Sequence, residues 1–90
     1  MNLKIELNNV ITLGYQGKAY FVTGKYEEAL IYLSKLLQIE PNNEFALRYR
    51  GETYHVLGRY EESLADINKL LEIRKDNAWA PKAQEEVLRE

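Results

Sequence analysis

The chain repeats itself every 34 residues. Gly17, Tyr20, Gly24, Tyr26, Glu27, Glu28 and Leu30 recur as Gly51, Tyr54, Gly58, Tyr60, Glu61, Glu62 and Leu64. Aligned without a gap, Val10–Asn43 and Glu44–Asn77 are identical at 15 of 34 positions. A repeat of this length is one supersecondary unit that cannot bury its own apolar face and must stack on its neighbours. The register therefore predicts a short solenoid, whose function lies in a surface rather than in a catalytic pocket.

Each unit reads as two helices. In the first, Ile11, Tyr15, Lys18 and Val22 form one stripe at helical spacing, and Leu13, Gly17 and Tyr20 a second. Gly24 stops this helix, because glycine accepts the left-handed conformation that helix ends commonly need. A second helix opens near Tyr26, with Glu27 and Glu28 in the first turn, where the macrodipole favours negative charge. Leu30, Leu33, Leu36, Leu37 and Ile39 make its apolar face, and Pro41 ends it. The second unit repeats this plan. Asn43 caps a helix over Phe45–Leu57, Gly58 stops it, and Tyr60–Ile73 is its partner. Asn77 is placed to cap a fifth helix from Ala78 to about Arg89, with Pro81 in its first turn.

The fifth helix is polar (Lys82, Gln84, Glu85, Glu86, Arg89) and suits a terminal cap with a wet outer face. At the other end, Leu3, Ile5, Asn8 and Asn9 match Leu37, Ile39, Asn42 and Asn43. That segment reads as the tail of a preceding unit. The expected organisation is residues 1–9 as this remnant, 10–43 and 44–77 as full repeats, and 78–90 as a capping helix. Such a chain is expected to be a slice of a longer array or to be built by copying one.

Composition narrows the function. With 46% hydrophobic and 29% charged residues the chain is an ordered domain. Its net charge of −2 offers no basic footprint for nucleic acid and no attraction to an anionic membrane. No stretch approaches the ~20 apolar residues of a membrane span. An intracellular, cytoplasmic protein is expected. Cysteine is absent and His55 is the only histidine, so neither a metal site nor a nucleophile–base pair can be assembled from the usual residues. No cofactor and no enzymatic activity are expected.

The repeated residues resemble the tetratricopeptide repeat (TPR), whose signature runs W-x2-L-G-x2-Y…A-x3-F…P. Gly17 and Tyr20, then Gly51 and Tyr54, match its glycine and tyrosine. Ala29, then Ser63, take the alanine, and Pro41, then Lys75, the proline. The turns at Gly24–Tyr26 and Gly58–Tyr60 carry the closest likeness. Gly17 and Gly51 are read as close helix crossings. The signature leucine is replaced by Gln16 and Arg50, a change expected to weaken the seam between repeats.

The resemblance implies an all-α, right-handed solenoid of antiparallel helix pairs, about five helices in all. It further implies that the first helices of successive repeats line a concave groove for a peptide or helix. Residues 34 apart then form rows across it: Ile11, Phe45 and Trp79; Tyr15, Tyr49 and Ala83; Gly14, Arg48 and Lys82; Lys18, Glu52 and Glu86; Phe21, His55 and Arg89. Tyr49 is the foremost candidate for an exposed aromatic contact. Phe45 and Trp79 either line the groove or pack on the adjacent helix, and Arg48 and Lys82 either meet a ligand or stay solvated. One TPR subclass grips chaperone C-terminal carboxylates with Lys, Asn and Arg side chains. The matching places here are Gly14, Lys18, Tyr49, Trp79 and Ala83, so no carboxylate clamp is expected. The leading function is a protein-interaction scaffold. The alternative is a self-associating repeat unit, in which Leu3, Ile5 and Leu7 dock on a second copy.

Overall fold

The computed structural model describes the backbone of residues 3–90 and the side chains of residues 9–90. Five helices follow one another: α1 (Leu3–Val22), α2 (Tyr26–Ile39), α3 (Glu44–Val56), α4 (Tyr60–Ile73) and α5 (Trp79–Leu88). No strand occurs among the described residues. The fold is an all-α solenoid of helix pairs.

The turns have local causes. Gly24 and Gly58 have φ of 81° and 78°, and no other described residue has a positive φ. After Gly24 the Lys25 N–H donates to the Tyr20 carbonyl at 2.8 Å and the Gly24 N–H to that of Phe21 at 3.1 Å. After Gly58 the same two bonds join Arg59 to Tyr54 and Gly58 to His55. This pattern satisfies helix-end carbonyls and requires the left-handed residue. The longer turns end on side-chain caps. Asn43 Oδ1 accepts from the Ala46 N–H at 2.8 Å, and Asn77 Oδ1 from the Ala80 N–H at 2.9 Å.

The segment read as the tail of a preceding unit is continuous with the first helix of the first repeat, since α1 runs from Leu3 to Val22 without a break. The place of the helix-ending Pro41 is taken by Leu7, a good helix former, so no local signal stops the helix. The proposed docking of Leu3, Ile5 and Leu7 lies outside the residues whose side chains are described.

The core is a ribbon between two layers. Leu33, Leu36, Leu47, Ile67 and Leu70 are its largest apolar members, joined by the small Ala29, Ala46, Ala80 and Ala83. Each helix packs chiefly on its sequence neighbours; α1 also touches α3 and α3 touches α5, whereas α2 and α4 stay apart. The stack therefore bends with α1, α3 and α5 on its inner side.

A charged pair holds the second repeat together and reaches back to the first. Arg50 on α3 donates from Nε and Nη2 to both carboxylate oxygens of Asp66 on α4, each at 2.8 Å, and from Nη1 to Ser34 Oγ on α2 at 3.3 Å. Its guanidinium also lies 5.6 Å from the Tyr54 ring centroid. Arg50, expected to weaken the seam, is thus fixed within the second repeat by the bidentate pair and touches α2 of the first through the Ser34 hydroxyl. The hydrogen bond to Asp66 raises the Arg50 pKa, although partial burial works against it. No buried side-chain polar atom among the described residues lacks a partner.

Candidate functional site

The inner face carries a line of aromatic rings. Phe21 meets Tyr26 at 5.9 Å between centroids and Tyr49 at 5.8 Å, and Tyr49 meets Phe45 at 4.7 Å. Two cations lie on this line. Lys18 Nζ stands 5.6 Å from the Tyr49 centroid, and the Arg48 guanidinium 5.4 Å from Tyr49 and 5.2 Å from Trp79. Arg48 so joins the second repeat to α5. Favourable cation–ring geometry of this kind contributes about 0.5–1 kcal/mol each at exposed sites.

The predicted rows divide by depth. Tyr15 is 69% exposed, Ile11 54% and Phe45 37%. Tyr49, the foremost candidate for an exposed contact, is instead half-buried, because Phe21, Phe45, Lys18 and Arg48 all crowd it. Trp79 is also half-buried, packed on the core and covered by Arg48. Gly14 and Ala83 are buried. Lys18, Arg48 and Lys82 are exposed, and Lys82 takes no part in the aromatic line.

Ile11, Tyr15 and Phe45 come together around a hollow of about 210 Å³, completed by Val10, Gly14, Leu36 and Asn43. It opens where α1, α2 and the start of α3 meet, and its wall is mostly apolar. A more polar hollow of about 250 Å³ lies on the other side, lined by Ser34, Gln38, Arg50 and Lys69 among others, and one of about 40 Å³ lies between α3, α4 and α5, with Glu52, His55 and Trp79 among its lining residues. His55 Nε2 lies 3.2 Å from Glu90 Oε1 and its ring meets Tyr60 edge-on at 5.8 Å, so it ties the end of α3 to its neighbours. Glu52 faces Arg48 at 3.9 Å.

Val10, Leu36 and Asn43 line the hollow beside Ile11, Tyr15 and Phe45 although none stood in the expected rows. Leu36 was assigned to the core alone, yet it also forms part of the wall of that hollow. Gly14, which the sequence placed in a groove row with Arg48 and Lys82, lines that hollow too. Among the described residues no cluster of three or more His, Asp or Glu is arranged to hold a metal ion. No described helix is long and apolar enough to cross a membrane. What the face offers chemically is aromatic and aliphatic surface with positive charge beside it.

No curated protein matches the sequence significantly. Among solved structures, the first TPR of Spaghetti (RPAP3) bound to the HSP90 peptide SRMEEVD is similar, with a TM-score of 0.51 and 20% identity, over 91% of this chain and 92% of that one. The first TPR domain of the human RPAP3 protein, solved by NMR, gives a TM-score of 0.49 at 20% identity, over 89% and 90% of the two chains. At such identity the first likeness speaks to the fold alone. The sequence model of the tetratricopeptide repeat matches residues 10–43 and 44–77. With two adjacent repeats covering most of its length, the chain belongs to the tetratricopeptide repeat family.

Proposed function

We propose that the chain is a non-catalytic interaction module that receives an extended peptide or a helix of a partner protein across α1, α3 and α5. TPR domains generally mediate protein–protein interactions, and the observation that carries the reading here is the exposed apolar group Ile11, Tyr15 and Phe45 around one hollow. Large apolar side chains left open on a concave surface are the usual anchors of peptide recognition. Lys18 and Arg48 beside them favour a ligand of negative charge.

The ligand is not held by a carboxylate clamp. The Spaghetti neighbour was solved with an HSP90 peptide. In this chain the places such a clamp uses hold Gly14 and Ala83, buried and without a side-chain donor, and Tyr49 and Trp79, engaged by their neighbours. Only Lys18 supplies a free-standing cation there. Micromolar binding of the peptide SRMEEVD would refute this exclusion.

Selection of random peptides on the intact chain, followed by fluorescence anisotropy, tests the reading. Tyr15→Ala should weaken a selected peptide by about tenfold, as loss of an anchor does. Its stability should stay within about 0.5 kcal/mol, as for other exposed positions. Peptides that bind both proteins equally would place recognition elsewhere. A second reading, self-association, is favoured by the exposure of Ile11, Tyr15 and Val22 along α1. Sedimentation at rising concentration separates the two: a tight dimer that ignores every peptide would replace the first reading.

A further inference from the structure

We propose that the hollow between α2, α3 and α4 is a separate site, away from the inner face, for a small organic monocarboxylate about the size of benzoate. It does not depend on the groove described above.

The wall of this hollow is rich in donors. Ser34 and Gln38 on α2, Arg50 on α3 and Lys69 on α4 line a space of about 250 Å³, and Leu37, Pro41 and Leu47 complete it. Both charged residues on the wall are cations, and no carboxylate among the described residues lines it. The volume exceeds the ~150 Å³ of an apolar cavity that accepts benzene. A bare ion would leave it largely empty, whereas a ring or short chain can lie against the three apolar residues.

These donors are not used up inside the protein. A guanidinium carries five N–H groups. Two of those on Arg50 go to Asp66 and one to Ser34 Oγ, so two remain. Ser34 accepts in that bond and keeps its own O–H to donate. Lys69 has no carboxylate partner among the described residues. Asp66 offsets one of the two positive charges and holds the guanidinium in place before any ligand arrives. One positive charge is left on the wall, which suits a monoanion. Glu40, next to Pro41, bonds to Asn43 and keeps its charge; together with the C-terminal end of α2 it limits the affinity.

The next seam lacks this arrangement. There, 34 residues on, Gln84 stands for Arg50, Asn68 for Ser34 and Glu72 for Gln38. Gln84 Nε2 donates to Asn68 Oδ1 at 2.8 Å, so the bond across the seam is kept while the cation is lost. At Glu72 an acid replaces the neutral amide. The backbone plan is common to both seams, and the positive wall comes from side chains that only the first one carries.

The test is an amide NMR titration of the intact chain with benzoate, beside benzamide as its neutral counterpart and inorganic phosphate as a bare oxyanion. Benzoate should give saturable shifts at the Arg50 Nε–H and at the Ser34, Gln38 and Lys69 amides, with a Kd of about 1 mM for a ligand of this size. Lys69→Gln should weaken it about tenfold, as loss of a hydrogen bond to a charged group does. Gln38→Glu, which brings the acid of the next seam to the first, should do the same. Gln38 is exposed and Lys69 half-buried, so both variants should keep the melting temperature and amide spectrum of the parent. Benzamide bound as well as benzoate, or benzoate held equally by both variants, would overturn the site. Phosphate bound as tightly as benzoate would make it a bare-anion site and overturn the carboxylate assignment. Shifts confined to Tyr15 and Phe45 would put the acid in the groove and overturn the proposal, as would the absence of saturable shifts far above that Kd.

Discussion

Gly17 and Gly51 occupy the same place in the two repeats, and replacing each by alanine should change stability in opposite directions. A Cβ at Gly17 would lie 2.5 Å from Leu33 Cδ2 and 2.6 Å from Leu33 Cγ. Carbon atoms prefer about 3.5–4.0 Å, so Leu33 would have to retreat by about an ångström. It cannot do so freely, because it is wholly buried and the contact involves its branching carbon as well as a methyl. Overpacking of this kind costs about 1–3 kcal/mol. Alanine recovers about 1 kcal/mol through helix propensity. The net is a loss of about 1 kcal/mol. At Gly51 the nearest atoms are Ile67 Cγ1 at 3.5 Å, Asp66 Cβ at 3.6 Å and the Ser63 carbonyl oxygen at 3.7 Å, all ordinary contacts. There the propensity term stands almost alone, a gain of about 0.5–1 kcal/mol.

The two variants should therefore differ by about 2 kcal/mol, which is roughly 10 °C in melting temperature for a domain of this size. Circular dichroism during thermal and urea unfolding reads the difference. The cause is testable through a double-mutant cycle. Leu33→Ala should cost less in the Gly17→Ala background than alone, since the clash is then relieved. If Gly17→Ala proves as stable as Gly51→Ala, or if Leu33→Ala is simply additive with it, the close crossing at Gly17 is not what limits that position.

Three further outcomes are expected. Asp66→Asn leaves the Arg50 cation without its counter-charge. Because the Arg50 side chain is 24% exposed, the loss should be about 2 kcal/mol, below the ~3–5 kcal/mol of a fully buried pair; an unchanged urea midpoint would remove the pair from the account of how α3 and α4 are held. Asn43→Ala and Asn77→Ala should each cost about 1 kcal/mol by leaving a helix-start N–H uncapped, and amide exchange at Ala46 and Ala80 would report it. The Arg50 pKa is raised by its bond to Asp66, so its contribution is fully present below the unfolded value and is lost only as pH rises through the higher folded one. Unfolding free energy should therefore show no drop attributable to Arg50 between neutral pH and pH 10, and a fall abolished by Arg50→Met would contradict it.

The helix ends were legible because their causes are local: a glycine that must turn left-handed, an asparagine three residues before the N–H it caps, a shared 34-residue register. The seam was not. Asp66 sits in an apolar run and reads as a solvated acid, and its partner lies 16 residues away on another helix. Arg50 looked like damage to a leucine position for the same reason, since the compensation exists only once α2, α3 and α4 are assembled. The two crossings diverge through a subtler difference. Leu33 branches at Cγ and leans on Gly17, whereas Ile67 branches at Cβ and keeps its distance from Gly51. The candidate site followed the same logic. Spacing identified the inner-face rows, but depth was decided by contacts: Tyr49 sank beneath four neighbours while Tyr15 stayed open. In a repeat array the backbone plan is common to every unit, so shared residues explain why the helices stack. What distinguishes one stretch of inner surface from the next must come from the residues that are not shared, and Gly14 against Arg48 is the pair whose exchange opens one seam and closes the other.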